Sequence, residues 1–301
     1  MDPVMALAGL GVGVVVGLTG MGGGALMTPI LVLLFGVPPV AAVSSDLAAS
    51  AVMKPFGGLV HAKRGTVNWA LVRWLCVGSV PAAFAGVGLL RLIGPGAAIQ
   101  RWIQLALAAA LLLAAGGLIL KGYRSRRAVG EPAPIRIRPL ATALLGAAGG
   151  LVVGLTSVGS GSLIIVVLLA LYPALRANDL VGTDIVQAIP LVAAAALGHA
   201  LFGDLHLDIA AAVLVGSVPG VLIGARLSSR APAGLIRAAL VVVLLASALK
   251  LFGLPTVAVG LVAGAAALVA TVVGLRRYLV TRSAADTRSA AVTRSAAAEP
   301  A

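Results

Sequence analysis

The sequence predicts an all-α integral membrane protein built from two inverted-topology repeats. Of its 301 residues, 60% are hydrophobic and 10% are charged, against about 25% charged residues in an ordinary soluble domain. Apolar runs of about 20 residues, each long enough to cross ~30 Å of hydrocarbon, recur along most of the chain. Windows such as 105–120 show no alternation of polar and apolar residues, so we expect helices rather than the strands of a barrel.

An internal duplication predicts the two repeats. Five glycines recur 137 residues later, and a valine, an aspartate and a histidine recur 138 residues later: Gly9, Gly13, Gly17, Gly22, Gly24, Val43, Asp46 and His61. The pentapeptide VGSVP at 77–81 returns unchanged at 215–219. A bias towards alanine, valine and leucine does not place glycine, aspartate, histidine and proline in a common register, so the chain is duplicated.

Each repeat begins with a glycine-interrupted stretch, at 4–36 and at 140–173. A stretch of about 33 residues is too long for one span and too short for two, so we expect a hairpin of two short helices. Three long apolar segments follow in each repeat and are expected to be transmembrane helices: 41–62, 69–90 and 101–120 in the first, and 179–201, 209–227 and 234–251 in the second.

These segments divide the chain into five parts. Residues 1–120 form the first repeat, and residues 139–252 form the second. A basic linker, 121–138, joins them, and an extra C-terminal transmembrane helix is expected within 253–275. The tail, 276–301, repeats the sequence TRSAA three times and is expected to be disordered.

The basic residues behind the formal net charge of +13 indicate on which side of the membrane each loop lies, because the arginines cluster between apolar runs and in the tail. The linker carries six basic residues against Glu131 alone, so we expect it and the C-terminus to be cytoplasmic, in a multi-pass protein of the cell membrane. When the spans are counted backwards from the linker and from the C-terminus, the equivalent loops 61–68 and 203–208 fall on opposite sides of the membrane. The repeats are therefore predicted to be inverted, as in many secondary transporters.

The breaks in the two hairpins predict an anion site. Unwound backbone at membrane depth must line a cavity or be buried in protein, and a helix that starts there presents free N–H groups and the positive end of its dipole. The residues predicted at the two breaks are Thr19, Gly20, Gly22, Gly23, Gly24, Thr156, Ser157, Gly159, Ser160, Gly161 and Ser162. A purely structural kink is the alternative. The preceding glycines, at four-residue spacing, instead predict close helix packing.

Segment 41–62 carries Asp46, Ser50, Lys54 and His61 on one helical face. A charged side chain deep in a membrane costs roughly 2.5–3.5 kcal/mol, so such a residue normally faces a partner or water. Lys54 is a candidate counter-charge for an anionic substrate. It could instead satisfy Asp46, or extend to the membrane interface.

The second copy of this segment is similar but lacks the lysine. It keeps Asp184 and His199, adds Gln187 as a candidate substrate ligand, and has Val192 where Lys54 would align. The two aspartates and the histidines His61 and His199 are candidates for proton coupling, and neutral histidines that cap their helices are the alternative.

The sequence offers no enzyme chemistry. Cys76 is the only cysteine and lies in an apolar run, without a nucleophile–base pair, a cofactor motif or a metal-ligand cluster. We therefore expect a protein that is not an enzyme and that needs no cofactor and no metal. Its expected partners are a small anion and the lipid bilayer, not nucleic acid, and the sequence leaves a homo-oligomer open.

The motifs resemble those of a known transporter family. The segment GLTGMGGG at 17–24, the turn GVP at 36–38, the segment VSSDL at 43–47 and the turn GTVNW at 65–69 are similar to the TauE/SafE family of sulfite and organosulfonate exporters. The similarity spans about residues 4–252. The family's serine- and threonine-containing segment is matched by Ser44, Ser45 and Thr183, which the resemblance adds to the candidate substrate ligands.

The resemblance implies export of small sulfur-containing anions, such as sulfite or sulfonates, by alternating access. Two other functions remain open from the residues. One is a proton-coupled importer of a small anion that uses Asp46 and Asp184 as proton carriers. The other is a membrane assembly factor that moves no solute.

Overall fold

The computed structural model describes residues 2–19, 23–93, 96–124, 136–159, 161, 163–173, 175, 177–202, 205–227, 233–269 and 271. The helices are α1 (Pro3–Thr19), α2 (Gly24–Leu34), α3 (Pro39–Lys63), α4 (Trp69–Ile93), α5 (Ala97–Arg124), α6 (Pro139–Thr156), α7 (Leu163–Leu171), α8 (Ala177–Phe202), α9 (Leu207–Leu227) and α10 (Ala233–Leu251). A further helix, α11, covers Thr256–Val269. Over these residues the all-α prediction is confirmed.

Five helices within the described residues are long and apolar enough to cross a membrane: Trp69–Leu90, Ala97–Leu120, Pro139–Thr156, Asp179–Phe202 and Leu207–Gly224. Helix α3 has 25 residues, or roughly 37 Å at the helical rise, so it is also long enough to cross a membrane. It is not among the five apolar helices, and it carries Asp46 and Lys54 in its interior. The predicted extra span is described only as α11 and Thr271, and its side chains are mostly exposed. The predictions for linker residues 125–135 and for the tail lie outside the described residues.

The two hairpins have arms of unequal length. Helices α1 and α6 have 17 and 18 residues, whereas α2 and α7 have 11 and 9. The expectation of two short helices is therefore wrong for α6, which by itself is long enough to span, whereas α1, α2 and α7 are shorter than a full span. In each hairpin a nearly full-length helix ends at the break, and a half-length helix starts after it.

The first helix of each hairpin packs against a helix of the opposite repeat, which gives two equivalent exchanged pairs, α1 with α9 and α6 with α4. Helix α1 packs most extensively against α9 of the other repeat, and its equivalent α6 packs in the same way against α4. The first helix of each hairpin thus packs against the second long helix of the opposite repeat. The buried apolar side chains form two clusters that follow this exchange, one including α2, α5 and α10 and the other including α4, α7 and α8.

Glycines bring the backbones of the exchanged pairs into contact. A methyl group at Gly146 would meet the carbonyl oxygen of Leu75, and one at Gly150 would meet that of Ser79. In the other pair, Gly13 lies in the same way against Ser217. The contacts advance together along both helices, so the paired helices run parallel. The predicted packing role of these glycines is confirmed, since no larger side chain fits there.

Close helix packing accounts for the glycine of the repeated pentapeptide VGSVP. Its glycines, Gly78 and Gly216, lie against the carbonyl oxygens of Ala143 and Ala6, at equivalent positions in the two exchanged pairs. Both helices of each pair therefore present glycine to the other. The identity of the two pentapeptides follows from two copies of one close backbone contact.

Equivalent helices from the two repeats also lie side by side, in opposite directions. The backbone N–H of Asn68, after the end of α3, donates to Thr183 Oγ1 near the start of α8 at 2.9 Å. The hydroxyl of Ser45, near the start of α3, donates to the carbonyl of His206 beyond the end of α8 at 3.2 Å. Helices α5 and α10 are likewise antiparallel, since Gln104 near the start of α5 bonds Leu251 at the end of α10 at 3.0 Å.

The glycine contacts predict that one added methyl group destabilises the fold at Gly13 but not at Gly11. Both residues lie on α1; a methyl group at Gly13 meets the Ser217 backbone, whereas one at Gly11 has nothing within 4 Å. Gly13→Ala should therefore cost roughly 1–3 kcal/mol and lower the midpoint of thermal unfolding in detergent. Gly11→Ala should change stability by less than about 0.5 kcal/mol. Equal midpoints for the two variants would contradict the exchanged packing.

Candidate functional site

The backbone leaves the helical conformation at the predicted break of the second repeat, and the first repeat has two separate helices on either side of its predicted break. Helix α1 ends at Thr19 and α2 begins at Gly24, while residues 20–22 lie outside the described residues. In the second repeat, Ser157 follows α6 in the left-handed conformation with φ of 58°, and Gly159 has φ of 134°. The carbonyl of Gly159 then accepts bonds from the N–H groups of Leu163 and Ile164 at 3.1 and 3.3 Å, which starts α7.

The two breaks touch each other. A methyl group at Gly24 would meet both the carbonyl oxygen of Ser157 and, at 2.7 Å, its hydroxyl oxygen. Only a glycine at the start of α2 therefore allows the first hairpin to approach the second this closely. The point of contact lies between the start of α2 in the first repeat and the turn that follows α6 in the second.

Asp46 joins the two hairpins. Its Oδ2 accepts hydrogen bonds from the hydroxyl of Thr28 on α2, at 3.1 Å, and from the hydroxyl of Ser157. The carboxylate is fully buried. Its other oxygen, Oδ1, has no hydrogen-bond partner among the residues that the structure describes. One oxygen of Asp46 thus links α3, the short arm of the first hairpin and the break of the second.

The equivalent aspartate of the second repeat has different neighbours. Asp184 Oδ1 accepts a hydrogen bond from the side-chain amide of Gln187 at 3.2 Å, and both residues are buried. Lys54 lies within electrostatic reach of both Asp184 and Asp46. A single lysine therefore serves two carboxylates, one from each repeat.

The scaffold is duplicated but this centre is not. In the register of the repeat, Thr28 corresponds to Ile165 and Ser157 corresponds to Gly20, so neither hydroxyl donor to Asp46 has a counterpart. Val192 takes the place of Lys54. The polar groups at the meeting point of the hairpins thus depart from the two-fold pattern that the glycine contacts follow.

Several predicted ligands form hydrogen bonds with the backbone. The hydroxyl of Ser44 donates to the carbonyl of Ala41 at 3.0 Å. Ser45 and Thr183 bond the loops of the opposite repeat, as described above, and so hold the ends of α3 and α8 together. Thr156 donates to the carbonyls of Val152 and Val158 at 2.7 and 3.2 Å, and so closes the end of α6.

Other predictions concern residues at the breaks. The carbonyl of Gly23 accepts the N–H groups of Leu26 and Met27, both at 2.9 Å, in the first turn of α2. Gly161 has φ of 94°, and its backbone pairs with that of Gly159 in an isolated β-bridge. The predictions at Gly20, Gly22, Ser160 and Ser162, and for the side chain of Thr19, lie outside what the structure describes.

The two histidines occupy different settings. His61 Nδ1 lies 2.9 Å from the hydroxyl of Thr66 in the turn after α3. His199 is buried, and its Nε2 lies 3.3 Å from the carbonyl of Gly154 on α6. His61 thus makes a local contact at a helix end, whereas His199 joins α8 to the first hairpin helix of its own repeat.

Thr28 is the site residue that the sequence analysis missed. It is fully buried, and its signal is its position as the one hydroxyl residue in the short apolar helix GALMTPILVLL. Buried hydroxyl groups need hydrogen-bond partners, most of all in a membrane, so a lone threonine there indicates a polar neighbour. The neighbour itself, Asp46, could not be named from that signal.

The centre brings together several kinds of polar and charged groups. It combines one ammonium group, two carboxylates, hydroxyl groups and the start of α2 at a point where two broken helices meet. Ionisable groups inside membrane proteins are costly and typically mark the path of a substrate or ion. Discontinuous helices that meet in this way form the substrate and ion sites of many secondary transporters.

Comparison with known proteins agrees with this description. The family model "Sulfite exporter TauE/SafE" matches residues 5–251. The "Probable membrane transporter protein YjnA" of Bacillus subtilis is 39% identical over 257 residues, which cover 83% of this chain and 100% of that protein. The "Probable membrane transporter protein YdhB" of the same organism is 26% identical, over 76% of this chain and 91% of that protein. No solved structure matches the chain significantly.

The family model covers both repeats and all the residues of the centre, from Thr28 to Gln187. With its long apolar helices, the chain is a multi-pass membrane protein and a membrane transporter. The chain belongs to the TauE/SafE family.

Proposed function

We propose that the protein exports small sulfur-containing anions, such as sulfite or sulfonates, across the cytoplasmic membrane by alternating access. The observation that carries the proposal is the contact of the two helix breaks, at Gly24 and Ser157, beside Asp46 and within electrostatic reach of Lys54. The family description, sulfite exporter, supports the substrate class and the direction.

Lys54 is the positive charge of the proposed anion site. It lies on α3 and interacts with both buried carboxylates, so an anion near it would compete with them for the same ammonium group. The start of α2 adds the positive end of a helix dipole at Gly24, and the hydroxyl groups of Ser157 and Thr28 can donate hydrogen bonds. A tetrahedral or pyramidal anion with several oxygens suits such a mixed set of donors.

The antiparallel equivalents support an inverted arrangement of the repeats. When α3 and α8, or α5 and α10, are related by the duplication and run in opposite directions, the two-fold axis that relates them lies across the helices. In a membrane such an axis lies in the bilayer plane, which is the symmetry of inverted-repeat transporters. Rocking of one repeat against the other then opens the site to each side in turn.

A transport assay tests the proposal. Purified protein in liposomes should carry labelled sulfite or methanesulfonate with saturable kinetics. Lys54→Met should lower the rate at subsaturating anion at least about ten-fold, because the site loses its cation. Lys63→Met, which removes an exposed lysine at the end of the same helix, is the matched control and should stay within about two-fold. Saturable flux of neither anion would overturn the substrate class, and equal losses in both variants would remove Lys54 from the site.

Cysteine labelling tests the inverted topology. In a Cys76→Ala background, single cysteines replace the exposed residues Arg64, Arg136 and Asp208. A membrane-impermeant thiol reagent should reach positions 64 and 136 from the cytoplasmic side, and position 208 from the outside. Labelling of positions 64 and 208 from the same side would contradict the inverted arrangement but would leave the transport assay unaffected.

A further inference from the structure

We infer that Asp46, and not its equivalent Asp184, is the proton-binding residue of this transporter, so that one proton crosses with each anion. The inference rests on the proposed anion transport and adds its coupling ion and stoichiometry. Because a monovalent anion and a proton cross together without net charge, export runs down the outward gradient of the anion itself and is opposed by an alkaline cytoplasm. It starts from three observations: the balance of buried charges, the unequal settings of the two aspartates, and the position of Asp46 at the junction of the hairpins.

The buried charges do not balance for an anion carrier. Within the described residues, the centre holds the carboxylates of Asp46 and Asp184 and the ammonium group of Lys54. With all three ionised, the centre has a net charge of −1, and a bound anion would make it more negative. Uncompensated charge in a low-dielectric interior is strongly disfavoured. One proton taken up with a monovalent anion keeps the net charge of the centre at −1 instead of letting it fall to −2.

The settings of the two aspartates decide which one takes the proton. Lys54 lies within electrostatic reach of both carboxylates, so it does not distinguish them. Asp184 Oδ1 accepts a hydrogen bond from the side-chain amide of Gln187, three residues further along the same helix, so this donor stays with it through the cycle. Asp46 Oδ1 is buried and has no hydrogen-bond partner among the described residues. Its Oδ2 is held by hydroxyl groups from two elements that separate, so Asp46 is the carboxylate whose charge changes.

The hydrogen bonds of Asp46 leave one oxygen for the proton. Both hydroxyl donors, Thr28 and Ser157, bond Oδ2, whereas Oδ1 is buried and has no partner in the described part of the chain. A protonated carboxyl group keeps an acceptor oxygen and gains one O–H donor. Proton uptake on Oδ1 is thus compatible with the existing bonds on Oδ2, and the new O–H can face an oxygen of the anion.

The remaining ionisable groups on the elements that pack against α3 do not take over this role. Helix α2 has no ionisable side chain, and α9 carries the exposed Asp208 and Arg226. Among its described side chains, helix α5 carries the exposed Arg101. Helix α8 carries Asp184 itself, the partly buried Asp179 near its start, and His199, which contacts α6. His206 meets α3 through its backbone carbonyl, and its side chain is exposed.

Because Ser157 belongs to the second repeat and Thr28 to the first, the carboxyl group of Asp46 contacts both bodies that must move apart in alternating access. Ionised Asp46 holds the two hydroxyl groups by charge-assisted bonds, which are roughly twice as strong as neutral ones. Protonation weakens this link and lets the hairpins separate with the anion and proton bound. The site of proton uptake is therefore also the contact that must open.

The test measures accumulation ratios in proteoliposomes with methanesulfonate, whose sulfonate group does not titrate near neutral pH. With one proton per anion, a pH difference of one unit should give about ten-fold accumulation on the alkaline side. A membrane potential should then leave the equilibrium distribution unchanged, whereas an uncoupled monovalent anion would redistribute about 50-fold per 100 mV. The ratio is set by equilibrium, so a slower variant gives the same value.

The matched pair of variants is Asp46→Asn and Asp184→Asn. Asp46→Asn should lose the response to the pH difference, with a ratio of about one, while still exchanging labelled for unlabelled anion at a reduced rate. Asp184→Asn should transport more slowly and keep the ten-fold ratio. Exchange without any pH response in the wild type would overturn the inference, and so would a pH response lost only in Asp184→Asn. Absence of exchange in the wild type would instead overturn the proposed function.

A second measurement uses the wild-type protein alone, in case Asp46→Asn does not fold. A hydrophobic carbodiimide reacts with protonated carboxyl groups in apolar surroundings, and mass spectrometry identifies the modified residue. We expect several-fold more adduct on Asp46 than on Asp184, with a further change when methanesulfonate is present. Equal modification of both residues, or modification of Asp184 alone, would contradict the assignment.

Discussion

The close backbone contact in the two exchanged helix pairs is the constraint on which the other features depend. Because α1 packs on α9 and α6 packs on α4, neither repeat can complete its own bundle. Glycines on both sides of each pair make the approach possible, and helix association in membranes is driven mainly by such packing. The exchange carries the end of each hairpin helix to the middle of the molecule, where Gly24 and Ser157 meet.

The scaffold follows the two-fold pattern of the duplication, whereas the polar centre does not. The scaffold repeats its glycines, its pentapeptide and its antiparallel pairs at equivalent positions, because the same packing problem is solved twice. The centre contains residues that occur once: Thr28, Ser157, Lys54 and Gln187. A two-fold scaffold supplies two similar helix breaks and two aspartates, and the single residues make those aspartates unequal. In the proposed proton coupling, one carboxylate keeps its partner while the other changes its charge.

Broken helices and buried polar groups support each other in this fold. The turn after α6 frees backbone groups, and Thr156 satisfies part of them through its hydroxyl. The left-handed Ser157 directs its own hydroxyl to Asp46 instead of to its neighbours in the chain. In a bilayer each of these groups would be costly if exposed to lipid. Their concentration at one protected point explains why a polar centre is compatible with so apolar a chain.

The sequence by itself determined the helical membrane class, the duplication, the places where the hairpin helices break and the family, since these depend on local composition and on residue spacing. It also identified Asp46, Lys54, Ser157 and Gln187 as polar groups in apolar segments. The partners of these groups were decided only by the tertiary structure. Ser157 lies 111 positions from Asp46, and Ser45 and Thr183, similar in sequence to ligands, bond loop backbones instead. Such pairings depend on which helices are exchanged and on how far each break extends into the core, and neither is encoded in local spacing.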